Sequence, residues 1–134
     1  MIDGLTLKGA GIDATVFDGE GTFKLMRIDN VNHAVVEDLT LKNGLGIRGG
    51  GVSIKKSNLI FRNVKIENND ANKGGGVFSE RSNVSFVNSE IKDNESLQGK
   101  GGGIYSVLSR IVLDNVRIDN NNSFSTNQSF GGGI

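Results

Sequence analysis

The chain has 134 residues, with 15 basic and 15 acidic side chains, one histidine, and neither cysteine nor proline. That balance gives no electrostatic case for a nucleic-acid partner, the missing cysteines exclude disulfides and thiolate metal sites, and no apolar run is long enough to span a bilayer. No basic segment followed by an apolar one opens the chain, so no signal peptide is expected.

Residues 1–22 hold two short apolar runs, Leu5-Thr6-Leu7 and Thr15-Val16-Phe17, separated by a turn at Lys8-Gly9-Ala10-Gly11 and closed by one at Asp18-Gly19. Residues 23–48 follow, with Phe23, Leu25, Met26 and Ile28 as apolar positions ahead of Ala34, Val36, Leu39 and Leu41. From residue 49 the text repeats. A phrase of three glycines and an aliphatic begins at Gly49, Gly74, Gly101 and Gly131, at intervals of 25, 27 and 30 residues. A period of that size signals a stacked architecture.

Between the phrases like falls on like. The block Ser57–Asn69 aligns without gaps on Ser82–Asn94 and Ser109–Asn121, and residues 32–44 form a worn earlier copy. Apolar and polar residues alternate in short runs, which is the period of a strand with two different faces. Val52, Ile54, Leu59, Phe61, Val64 and Ile66 are inward candidates in one copy, and Val77, Val84, Phe86 and Ile91 in the next. One copy cannot bury its apolar face alone, so copies must stack strand on strand at roughly 4.8 Å. The fold expected is all-β, a single-stranded parallel β-solenoid of about five rungs with three short strands per rung. Turns are expected at the glycines, at Asn63 and at Asn68-Asn69. It forms a single domain, 1–134, divided into an irregular rung 1–22, rungs 23–48, 49–73, 74–100 and 101–130, and the start of another at 131–134. The extra length of later rungs falls in the turn before each glycine phrase: Ala71-Asn72-Lys73, then residues 95–100, then residues 122–130. Neither end reads as a cap, so the chain is expected to be a piece of a longer solenoid or to have its ends covered by another copy.

Stacking makes aligned polar residues neighbours, and their identities agree with it. Lys42, Glu67, Lys92 and Asp119 share one outward position and alternate in sign, as do Lys65, Glu90 and Arg117 at a second and Lys55 and Glu80 at a third. Opposite charges on adjacent strands contribute roughly 0.2–1 kcal/mol per pair. Asp38, Asn63, Asn88 and Asn115 form one corner column and Asn43, Asn68, Asp93 and Asn120 another, where short amides can satisfy a turn and bond the next rung.

The glycine phrase with its aliphatic resembles the GGA-aliphatic motif of the polymorphic outer-membrane proteins. The companion Phe-x-x-Asn motif of that family is similar to Ile66-Glu67-Asn68-Asn69, Ile91-Lys92-Asp93-Asn94 and Ile118-Asp119-Asn120-Asn121, with Ile in place of Phe and Gly in place of Ala in the first motif. The likeness covers about residues 23–134. It implies a right-handed single-stranded parallel β-helix of the pectate-lyase-like type, a passenger secreted or displayed at the cell surface, adhesin-like.

The same fold hosts polysaccharide lyases and hydrolases, so chemistry has to be sought residue by residue. His33, the lone histidine, stands in Asn32-His33-Ala34 without the motifs of hydrolases of the polygalacturonase kind and reads as a turn residue. Asp13, Asp18 and Glu20 lie close together and read as turn formers, not a calcium cluster. No metal or other cofactor is expected. Phe78 and Tyr105 are equivalent and out of phase with inward Val77 and Ile104, so they point outward on adjacent rungs. They form either a platform for sugar rings or a protein partner, or an aromatic pair shielding the glycine turn. Together with loop 122–130 they are the first candidates for contact. The functional expectation is a non-catalytic surface module or scaffold that meets a glycan or a cell-surface protein. A fragment of a polysaccharide lyase or hydrolase with its active rungs elsewhere is the alternative, and a solenoid that self-associates end to end is another.

Overall fold

A computed structural model describes residues 2–124 and 132–134. The first turn of the chain contains β1 (Ile2–Asp3), β2 (Thr6–Lys8) and β3 (Val16–Asp18), and the second β4 (Met26–Asp29), β5 (Val31–Asn32), β6 (Ala34–Lys42) and β7 (Leu45–Arg48). Three strands then recur in each turn: β8 (Val52–Lys55), β9 (Asn58–Glu67) and β10 (Asp70–Lys73), then β11 (Val77–Glu80), β12 (Asn83–Lys92) and β13 (Glu95–Lys100). The last described turn has β14 (Ile104–Val107), β15 (Arg110–Asp119) and β16 (Asn122–Ser123).

Corners arise where the backbone enters the left-handed region. In one rung these are Lys56 (φ 48°), Asn63 (φ 50°), Asn68 (φ 53°) and Gly74 (φ 64°), and in the next Arg81, Asn88, Asp93 and Gly101. Asn and Asp tolerate this conformation because a short polar side chain bonds locally, and Gly carries no Cβ to clash. The bend at Asn63 does not end its strand, so β9 and its equivalents are single long strands folded around an amide.

Equivalent strands pair in parallel. β4, β8, β11 and β14 make one sheet, β7, β10, β13 and β16 a second, and β2, β6, β9, β12 and β15 the third, with β3 also on β6. The register is the one that the aligned text requires: Phe86 pairs with Phe61 and Leu113, and Ile91 with Ile66 and Ile118. The result is a parallel β-solenoid of about five turns around one apolar interior. Phe61 and Phe86 stack with centroids 4.9 Å apart and planes 9° apart. All ten inward candidates of the two clean rungs are buried.

The structure corrects the sequence reading in two places. Ala71-Asn72-Lys73 and residues 95–100 lie in strands, not turns, and the two added residues are taken up as a bulge between the pairs Ala71↔Ser96 and Lys73↔Lys100. Phe23 is 64% exposed and adds nothing to the interior, because the Gly19–Phe23 turn places it ahead of the strand that carries Leu25 and Met26 inward.

Two buried polar ladders complete the interior. Asn69 and Asn94 are essentially inaccessible, and the Asn94 Oδ1 accepts from both the backbone N–H and the side-chain amide of Asn69, each at 3.0 Å. Asn121 repeats the arrangement one rung on, accepting from Asn94. Ser57, Ser82 and Ser109 form the other: each hydroxyl donates to the carbonyl two residues back and accepts a backbone N–H from the rung before.

Candidate functional site

The outward side of the long sheet carries the charge ladder. Glu67 sits in register between Lys42 and Lys92 and forms ion pairs with Lys92 at 3.8 Å and with Lys65, two residues away on its own strand, at 3.0 Å. Lys42 turns instead to Asp18 (3.8 Å), and Asp119, in register with Lys92, turns to Arg117 (2.6 Å). The Glu67 hydrogen bond lifts the Lys65 ammonium above its ordinary value. Each of these carboxylates has a cation within 4.0 Å.

Both amide columns are corner devices. Asn63 donates to Asp38 and Asn115 to Asn88, each at 2.8 Å, while Asn43 donates to Asp18 at 3.0 Å and Asn120 to Asp93. Asn68 has the same left-handed backbone as Asp93 and Asn120. His33 is an exposed turn residue (φ 53°) whose Nδ1 lies 2.8 Å from Asp3. Asp18 accepts from the Glu20 backbone N–H, which with the Asn43 amide holds its carboxyl below the usual value, so Asp18 and Glu20 build a turn.

The sheet β4-β8-β11-β14 differs in character. Its outward column runs Arg27, Ser53, Phe78, Tyr105 in register, beside Asp29, Lys55, Glu80 and Val107. Phe78 and Tyr105 meet across adjacent rungs with centroids 5.9 Å apart and planes tilted by 39°. The structure departs from the expected exposed pair: Phe78 is only 4% accessible, because Tyr105 covers one side and the Arg48 guanidinium lies 5.4 Å over its ring. Tyr105 stays half-exposed, with the Lys100 ammonium 6.0 Å from its ring. Beside Phe78 lies a groove of about 220 Å³, whose lining includes Lys24, Arg27, Arg48, Lys55 and Glu80. Partial burial, reinforced by the charges of Arg27 and Arg48, holds the Lys24 ammonium below its ordinary value. Of loop 122–130, residues 125–130 lie outside the described residues.

The neighbouring sheet breaks the rule of alternating sign. Arg48, Lys73 and Lys100, each just before a glycine phrase, stand in register on three consecutive rungs. Among the described residues no carboxylate lies within 4.0 Å of any of them, nor of Lys24, Lys56 or Arg81. Lys56 and Arg81 hold the opposite corner of β8 and β11, so cations frame the aromatic face on both sides. Sequence reasoning sought alternating columns and missed this one, although a basic residue before each of the first three glycine phrases was there to be read.

The far end of the same sheet stacks Asp70 on Glu95, two like charges in register. Partial burial raises the Asp70 carboxyl, so the folded chain binds its proton more tightly than the unfolded one. Stability contributed by this group is therefore lost as pH rises above the ordinary value of 3.8. Asp70→Asn is expected to raise Tm by about 1–3 °C at pH 7, from a like-charge cost of roughly 0.2–1 kcal/mol, and to leave Tm at pH 3 unchanged. Thermal melts at the two pH values read the difference.

No helix among the described residues is long and apolar enough to cross a membrane. No curated protein and no solved structure matches the chain. The model of one family, described as the right handed beta helix region, matches residues 4–134. With parallel rungs paired residue for residue along the long sheet, the chain belongs to the right-handed β-helix family.

Proposed function

We propose that this β-helix is a non-catalytic binding module, adhesin-like, working outside the cell or at its surface, and that it contacts carbohydrate through the face of β4, β8, β11 and β14. The observation that carries this reading is the Phe78–Tyr105 column, in which a buried ring that lines a groove on one side fixes the position of a half-exposed ring on the next rung. An aromatic face is a surface on which a sugar ring can lie, and its backing by Phe78 reduces the entropy lost on contact. The non-catalytic part is supported by three outward carboxylates that cations engage: Glu37 by Lys8 and Arg62, Glu67 by Lys65 and Lys92, and Asp29 by Arg27.

Tyr105→Ser is expected to weaken retention on the polysaccharides that the parent binds by about 5-fold or more, with a lower melting temperature from the uncovered Phe78 but an unchanged far-UV circular dichroism spectrum at the assay temperature. Affinity electrophoresis through polysaccharide-containing gels measures it. Equal retention by the variant would remove the aromatic column from the reading, and release of unsaturated or reducing ends by the parent would end the non-catalytic one.

A further inference from the structure

We infer that the ligand of this face is a linear anionic oligosaccharide, bearing carboxylate or sulfate groups and lying along the solenoid axis. The inference rests on the carbohydrate reading above and names its chemical class. Like charges in register on adjacent strands are unfavourable, and other cations of the outward columns are set against acids: Lys55 meets Glu80, and Lys92 meets Glu67, while the acidic like-charged pair described above, Asp70 on Glu95, is two residues deep. Arg48, Lys73 and Lys100 nevertheless stand one above another with no acidic partner, and Lys24 adds a fourth cation whose proton is already held weakly by its burial and its neighbours. A bound oxyanion would relieve that repulsion rung by rung.

The spacing also selects the ligand. Rungs repeat at roughly 4.8 Å, close to the length of one pyranose unit, so a charge on each sugar meets a cation on each rung. Two of these cations are aimed by the aromatic column itself: Arg48 is laid over Phe78 and Lys100 over Tyr105. A planar guanidinium stacked on a ring keeps its N–H edges free for an oxyanion. Lys55 is drawn to Glu80 and Arg27 to Asp29, which leaves Lys24, Arg48, Lys73 and Lys100 as the available set on the side of the glycine phrases, with Lys56 and Arg81 at the opposite corner.

The test uses the full chain and three soluble probes: dextran sulfate, polygalacturonate and uncharged dextran. At low salt, retention is expected on at least one of the charged polymers, and which one assigns sulfate or carboxylate. Affinity should fall steeply with ionic strength. Arg48→Gln with Lys100→Gln is expected to lower it at least 10-fold and flatten the salt dependence. Lys8→Gln with Lys42→Gln, cations already paired on the long sheet, should leave it unchanged. Should the first pair lower the melting temperature, Lys24→Gln with Lys73→Gln reads the same ladder. Retention on uncharged dextran alone, lost in Tyr105→Ser, would overturn the anionic class while leaving the carbohydrate reading intact. No retention on any of the three would overturn both. A single-stranded oligonucleotide that competes as well as dextran sulfate would also overturn the assignment, in favour of a nucleic acid.

Discussion

Gly75→Ala is expected to abolish cooperative folding, although it adds a single methyl group. A Cβ built at Gly75 would lie 2.2 Å from the Glu95 carbonyl oxygen and 2.6 Å from the carbonyl carbon and the amide nitrogen of the same residue. All three are backbone atoms of β13, which closes the same turn of the chain, so no rotamer change relieves the overlap. The obstructed backbone is itself committed: Glu95 N–H donates to Asn69, and the Gly75 carbonyl accepts from Gly50. Moving either strand breaks bonds on two rungs at once. Gly50 and Gly102 meet the same obstacle, at 2.4 Å from the Asp70 oxygen and 2.0 Å from the Asn122 oxygen. A cost above about 4 kcal/mol is expected, against a total stability on the order of 5–15 kcal/mol for a domain. Far-UV circular dichroism during a thermal melt should show no cooperative transition, whereas Ser85→Ala, on the outward side of β12, should melt like the parent.

The middle glycine explains why the phrase was so legible. Three glycines recur because two different demands meet there: a left-handed φ at Gly49, Gly74 and Gly101, and backbone contact at the two glycines that follow each. A demand set by backbone geometry admits one residue type, so it survives as identical text. The apolar columns were readable for a related reason. Residues 57–69 and 82–94 have no insertion between them, so Phe61 on Phe86 and Ile66 on Ile91 followed from counting.

Strands β10 and β13 were not readable, because they are strands for their neighbours' sake. Asp-Ala-Asn-Lys places only Ala71 fully inside, and no alternation marks it; its ladder bonds run to β7 and β13. Phe78 shows the limit of period-2 reasoning at the candidate site. Alternation gave its direction correctly, while its burial depends on Arg48 and Tyr105, which arrive from other rungs. The basic ladder stood in the text as Arg48, Lys73 and Lys100. It became meaningful only once the register showed that their backbones are neighbours and that no acid lies between them.

Asn94→Ala is expected to be the second most damaging substitution, and the reason lies in a distinction that the paired asparagines conceal. In Asn68-Asn69, Asp93-Asn94 and Asn120-Asn121 the first residue is the left-handed corner and varies between Asn and Asp. The second points inward and is Asn every time, because its role uses both ends of an amide. Asn94 Nδ2 donates to the Ile66 carbonyl and to Asn121 Oδ1, each at 3.0 Å, while its Oδ1 accepts two bonds from Asn69. Alanine strands those partners in a dry interior, at about 1–3 kcal/mol for each group that water cannot reach. Partial relaxation brings the expected total to about 3–5 kcal/mol. Aspartate, which keeps the acceptor and loses both donors, should fare no better at pH 7, since its second oxygen would face the Ile66 carbonyl and Asn121 Oδ1. At the outward corner, Asn88→Asp should cost under about 1 kcal/mol, because Asn115 still finds an acceptor there. Urea unfolding of the three variants separates the cases. Equal losses for the inward and outward positions would mean that the buried amide column is not what binds one rung to the next.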